Sequence, residues 1–262
     1  MDSKDDRAPT SHAVLNHATI RCFRDTADAD YIAARLSIRS DLPGPFLSAA
    51  EQAIEKYLKC NLMLNRINTR PIGHKIDDAL KLINSSLPFN ISLDEDEKKL
   101  FNQLIQWDFD RYLVNSLYVN NESLMHLDRL VWKLRQYCRP LDMIHRAEPP
   151  NKSHIALKIE KIEATLLSAD AKQGQVPGGF LERVLESKLH RGRDALIWNN
   201  LWYSSKNRQQ VSYRTGYQAI NSPFFNNPEI AAEASKYMKL SKEFVEGANQ
   251  FAKQKTEKSK LS

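Results

Sequence analysis

Few stretches of this chain gather residue types that do chemistry. Gly73-His74-Lys75 stands just before an amphipathic run, where the pattern predicts a helix start. Free backbone N–H groups at such a start favour anions, so His74 and Lys75 are candidates to line a pocket for a phosphate-bearing ligand. The His74 ring fits a second role as well, capping those amides or packing in the turn. Further on, HRGRDALIWNNLWYSSKNRQQVSYRT interleaves Arg191, Arg193, Lys206, Arg208 and Arg214 with Trp198, Trp202, Tyr203 and Tyr213. Aromatic faces beside a basic groove hold single-stranded nucleic acid. Trp198, Leu201 and Trp202 at helical spacing also read as a core stripe, with Arg191 and Arg193 on a solvated face.

Other chemistries find no pattern. The seven His are scattered, with no His-x-x-x-His and no Cys cluster, so no metal site is expected. GQVPGG lacks the Gly-Lys-Ser/Thr step of a phosphate loop, and nothing resembles a nucleophile elbow. No cofactor is expected. Cys22, Cys60 and Cys138 are far apart in sequence and read as reduced structural thiols of a cytoplasmic protein.

The elements that must position these residues are organised around Pro43 to Ile83. Phe46, Ala50, Ala53, Ile54, Tyr57, Leu58 and Leu62 recur every three or four residues, opposite Ser48, Gln52, Glu55, Lys56 and Lys59. That is a long helix with one face to bury. Before it, Arg24 to about Ser40 predicts a helix that DLPGP ends. After it come a Pro-containing turn, a short helix opening at Gly73-His74-Lys75, and a helix with the acids Asp94 to Glu97 in its first turn. DFDRYLVNSLYVNN resists a helical reading, and a further helix follows from Asn121 with Leu124, Leu127, Leu130, Val131 and Leu134 on its buried side. RAEPPNKS is the candidate boundary. Beyond it, helices are expected over the run from His154, from Phe180 to about Tyr203, and from Glu229 to about Lys253. Residues 1–20 are expected to be a disordered arm and 255–262 a basic tail, flanking a bundle over 21–146 and an extension over 147–254.

Few glycines, 42% hydrophobic residues and long charged runs at helical spacing indicate an all-α protein rather than a sandwich or doubly wound sheet. No apolar stretch is long enough for a membrane span, and the polar amino terminus offers no secretory signal. Residues 1–150 hold 20 Lys+Arg against 21 Asp+Glu, whereas 151–262 hold 18 against 11. The excess positive charge therefore sits in the second half. Such a bias favours an anionic partner, although a lysine-rich tail is also compatible with plain solvation.

DADYIAARLSIRSDLPGPFLSAAEQAIEKYLKCNLML, then GHKIDDALKLI, and later DRYL, together resemble the HEPN family, a helical domain linked with nucleotide binding. The resemblance runs from about Asp28 to Leu141. It implies an up-and-down helical bundle, homodimers formed through a bundle face, and membership of a group seen in bacterial defence, toxin-antitoxin pairs and RNA metabolism. Many relatives are metal-independent ribonucleases carrying an Arg, four to six residues, then a His. The His there serves as general acid or base and the Arg steadies the phosphorane charge. Arg7 and His12, Arg139 and His145, and Arg183 and His190 fit that spacing. Arg139 and His145, at the end of the family-like segment, are the preferred catalytic pair. Three functions remain open: an accessory or defence-type protein binding RNA or nucleotide, an endoribonuclease using an Arg-His pair, and a non-catalytic module that binds a partner protein.

Overall fold

The computed structural model describes residues 10–109, 113–120, 122–141, 152–167, 174–204, 211 and 216–259. Its centre is α3 (Pro43–Leu64), with proline in its first turn, where the missing N–H costs nothing. Phe46, Leu47, Ala50, Ala53, Ile54, Tyr57, Leu58 and Leu62 are fully buried. Each large side chain on that face contributes roughly 1.5–3 kcal/mol of hydrophobic stabilisation. Around α3 pack α2 (Asp25–Arg39), α4 (Ile76–Ser86), α5 (Glu95–Phe109) and α6 (Ser123–Tyr137). The start of α5 is a reciprocal cap. Asp94 Oδ1 accepts from the Glu97 amide at 2.9 Å, and Glu97 Oε2 accepts from the Asp94 amide at 2.9 Å. The all-α bundle expected from the spacing is what forms.

The amino-terminal arm departs from expectation. Ser11–Thr19 is a helix, α1, continued by a π-turn over Ile20–Arg24 into α2. Thr10 caps its first turn, and Arg66, just past α3, reaches back to Asn16 Oδ1 at 2.7 Å. A tertiary tether thus orders a segment whose own pattern is weak.

Beyond α7 (Lys152–Leu167), the expected long helix from Phe180 to Tyr203 is instead α8 (Phe180–Glu186), a turn, α9 (Arg193–Ile197) and a further turn. The buried Arg35 guanidinium accounts for the end of α9, though not for the turn between α8 and α9. Its Nε donates to the Ala195 carbonyl at 2.8 Å and its Nη2 to the Trp198 carbonyl, so acceptors that would propagate a helix are turned inward. Trp198 and Trp202 consequently share no helical face. The helix expected from Glu229 is also divided, into α11 (Ala231–Ala234) and α12 (Lys242–Ser259), because the Ser241 side chain caps the Phe244 amide and starts a new helix. The segment that resisted a helical reading supplies β1 (Leu117–Asn120), which pairs antiparallel with β2 (Tyr217–Ile220), Leu117 opposite Ile220. Between β2 and α11 lies the short α10 (Pro223–Asn226).

The extension shares the bundle's core. Leu181, Val184, Ala195, Leu196 and Tyr203 belong to the same buried cluster as the α3 face. Two buried arginines fasten the two parts. Arg35 pairs with Asp128, which also accepts from the Tyr31 hydroxyl at 2.6 Å, and Asn200 donates to that hydroxyl oxygen at 2.8 Å. Arg135 grips Asp28 of α2 at 2.8 and 2.9 Å and Glu182 of α8 at 2.8 and 2.7 Å. Gly179 is required beside this fork, since a Cβ there would lie 2.5 Å from Arg135 Nη2.

Candidate anion-binding site

α6 ends at Tyr137, and Arg139, four residues past Arg135, follows in the chain that leaves it. Its position is half-buried, and its Nη2 donates to Gln136 Oε1, which is held in turn by Gln136 Nε2 donating to the Gly174 carbonyl at 2.6 Å. Arg139 Nε is buried with no hydrogen-bond partner among the described residues. Burial first, and then the neighbouring Arg135 and Arg24 charges, hold the Arg139 pKa below its ordinary value. A guanidinium remains charged regardless, so Arg139 is a largely desolvated cation between the Arg135 charge and the opposing Glu182 carboxylate, with one buried donor unspent.

The adjoining surface is built by the π-turn. Arg21 and Arg24 lie on it, and Asp25 opens α2 immediately after. Asp25 accepts from Arg21 Nη1 at 2.8 Å and from Arg24 Nη2 at 3.1 Å, and Arg183 Nη2 of α8 is 3.5 Å from it. Arg24 and Asp25 are buried, whereas the side chains of Arg21 and Arg183 are 57% and 46% exposed. Arg21, Arg24, Arg135, Arg139 and Arg183 thus face three carboxylates, those of Asp25, Asp28 and Glu182. Chemically, such a surplus of oriented N–H donors fits an oxyanion, and phosphate above others.

With that geometry established, the family comparison is informative. Residues 20–123 match the family model described as HEPN domain. Over that stretch the chain is similar to a HEPN domain. The match opens at the π-turn and closes at the first residue of α6, so the domain itself supplies Arg21, Arg24 and Asp25. Arg135, Arg139 and Arg183 come from the sequence that follows it. No curated protein and no solved structure matches the chain.

The structure distributes the residues singled out in the sequence. Arg139 joins the cluster, while His145, its expected partner, lies outside the described residues, as does Arg7. Arg183 joins it as well. His190, which follows Arg183 at the same kind of spacing, accepts from the Gly192 amide at 3.1 Å, its ring edge-on to Phe180, over which Arg183 also lies.

His74 and Lys75 stand elsewhere, in acidic company. His74 Nδ1 lies 3.1 Å from the Glu55 carboxylate, and His74 and Lys75 line a hollow of about 240 Å³ with Glu51, Asp77 and Asp78. Four carboxylates so placed repel phosphate, and α4 begins only at Ile76, with Asp77 and Asp78 already in its first turn. Trp202 packs against Trp132 with centroids 6.3 Å apart, Arg193 donates to the Leu185 carbonyl at 2.9 Å, and Arg191 is exposed. These three make separate contacts rather than one stacking groove.

Sequence reasoning missed Arg21, Arg24 and Asp25. The run Arg21-Cys-Phe-Arg24-Asp25 puts two cations at i and i+3 before an acid, but its partners on α8 and past α6 are more than a hundred residues away. Among the described residues no three His, Cys, Asp or Glu side chains gather as a metal site, and no helix is long and apolar enough to cross a membrane.

Proposed function

We propose that this HEPN-domain protein binds RNA or nucleotide through phosphate, at the arginine cluster of Arg21, Arg139 and Arg183, with the buried Arg24 behind them. The observation that carries the reading is Arg139, a desolvated guanidinium whose buried Nε has no partner among the described residues and which lies in the field of Arg24 and Arg135. An anion that accepted from it would relieve both the unmade hydrogen bond and the repulsion. The HEPN match supports a nucleotide-linked role, and the same resemblance motivates an accessory or defence function and a homodimer.

The test is retention of labelled single-stranded RNA across a salt series. Binding should weaken steeply with salt, and Arg139→Ala should weaken it further and reduce the slope of log affinity against log salt by about one. Salt-insensitive binding, or binding indifferent to Arg139→Ala, would remove the reading.

A second reading, endoribonuclease activity, is favoured by the same residue, since Arg139 stands in the cluster with His145 five intervening residues beyond it. His145 would then move the proton at the ribose hydroxyl while Arg139 stabilised the charged phosphorus centre. RNA cleavage that persists with EDTA and disappears in His145→Ala would establish it. Retention without cleavage leaves the binding function alone, and a stable dimer with neither leaves a partner-binding module.

A further inference from the structure

The cluster's geometry specifies which phosphate it suits. A nucleic-acid backbone is a row of monoanions, and proteins that hold one use a groove of cations that tracks it. Here the guanidiniums do the opposite. Arg21 Nη1, Arg24 Nη2 and Arg183 Nη2 lie 2.8, 3.1 and 3.5 Å from the carboxylate of one residue, Asp25. They converge on a point and not along a line.

Asp25 occupies that point. It begins α2, and its neighbour Arg24 is buried, so neither can swing out to meet a ligand on the surface. The exposed arms of Arg21 and Arg183 can turn outward, but only by leaving the carboxylate. A phosphodiester offers them one negative charge in exchange for one. A terminal phosphate monoester carries about −1.5 to −2 at neutral pH and three acceptor oxygens, and so gains from the exchange.

We infer that the cluster takes a terminal phosphomonoester, at the end of an RNA strand or on a free nucleotide, and that Asp25 is the residue that discriminates against internal diesters. This rests on the phosphate-binding reading above and narrows it.

The experiment compares short, internally labelled single-stranded RNAs of one sequence that end in a 5′-phosphate, a 3′-phosphate or hydroxyls at both ends, with AMP and adenosine as competitors, on the full chain. One phosphorylated strand should bind roughly tenfold more tightly than the hydroxyl strand, as one additional charge-assisted hydrogen-bonding group would give. AMP should compete where adenosine does not. Competition by AMP at concentrations far below those of either phosphorylated strand assigns the site to free nucleotides, and the reverse order assigns it to strand ends; both sustain the inference. Asp25→Asn should narrow the preference by raising the affinity of the hydroxyl strand, and the wild-type comparison stands by itself should that variant not fold. If all three strands bind within twofold of each other and all lose affinity in Arg139→Ala, the inference is overturned and phosphate binding survives. If no strand and no nucleotide binds, both fall.

Discussion

Arg35 and Arg135 on one side, and Arg139 with its neighbours on the other, put the same side chain to opposite uses. Arg135 is fully buried and forks onto two carboxylates, and Arg35 divides its donors between Asp128 and two carbonyls. A buried guanidinium saturated in this way has nothing left to offer a ligand. It is a clamp that fastens α8 and the turns after α9 onto the bundle. Arg139, a turn further along, keeps a buried donor unsatisfied beside like charges. On the proposed reading, what separates a structural arginine from a binding one is how many carboxylates have been placed around it, more than its depth.

That contrast can be broken most forcefully at the clamp. Arg135→Leu leaves Asp28 and Glu182 buried without their cation, and the expected loss is about 3–5 kcal/mol of stability, measured as a fall in the denaturant midpoint. A loss below about 1 kcal/mol would mean that the fork is not the fastening. Arg139→Ala should do the reverse, leaving stability within about 1 kcal/mol while weakening phosphate binding by about 1.5–3 kcal/mol, the range for a hydrogen bond to a charged group.

A subtler test uses acid. Burial alone would raise the Glu182 carboxyl, but hydrogen bonds from Arg135, its charge and the Val176 amide hold its pKa below the ordinary value. The folded pKa is therefore the lower one. Its contribution is complete above the unfolded pKa of about 4.3 and is lost as pH falls through the folded value. Glu182→Gln should flatten this acid limb of the stability profile between neutrality and strong acid, and an unchanged limb would assign the acid sensitivity elsewhere. The smallest effect is expected at Arg191→Ala, an exposed position that changes stability by no more than about 0.5 kcal/mol and leaves RNA retention intact.

The bundle was legible because α3 carries its burial pattern in local spacing, and every residue from Phe46 to Leu62 named for that face is buried. Helix periodicity is a property of near neighbours. The extension was less legible, since the end of α9 is set by Arg35, a residue more than 150 positions away whose guanidinium claims two carbonyls. The ribbon was hidden for a similar reason: β1 and β2 lie nearly a hundred residues apart and each is only four residues long. As for the site, Arg139 could be found from its spacing to a histidine. Arg21, Arg24 and Asp25 could not, because they acquire meaning only when α8 brings Arg183 to the same carboxylate. His74 and Lys75 show the converse hazard. Their helix start looked receptive, but Glu51 and Glu55 on α3 approach from a direction that a linear pattern does not display.

The π-turn at Ile20–Arg24 makes the length of the chain itself part of this arrangement. Such a turn accommodates a residue more than the regular spiral on either side of it. Excising one residue there would let α1 run straight into α2 with every backbone bond intact, yet everything upstream would be rotated by roughly 100° about the axis. Asn16 would then point away from Arg66, whereas Arg21, three or four residues before Asp25, would stay on its face. Substitutions along this stretch should be borne far better than a single-residue deletion, which would leave the helix whole and its sidedness wrong.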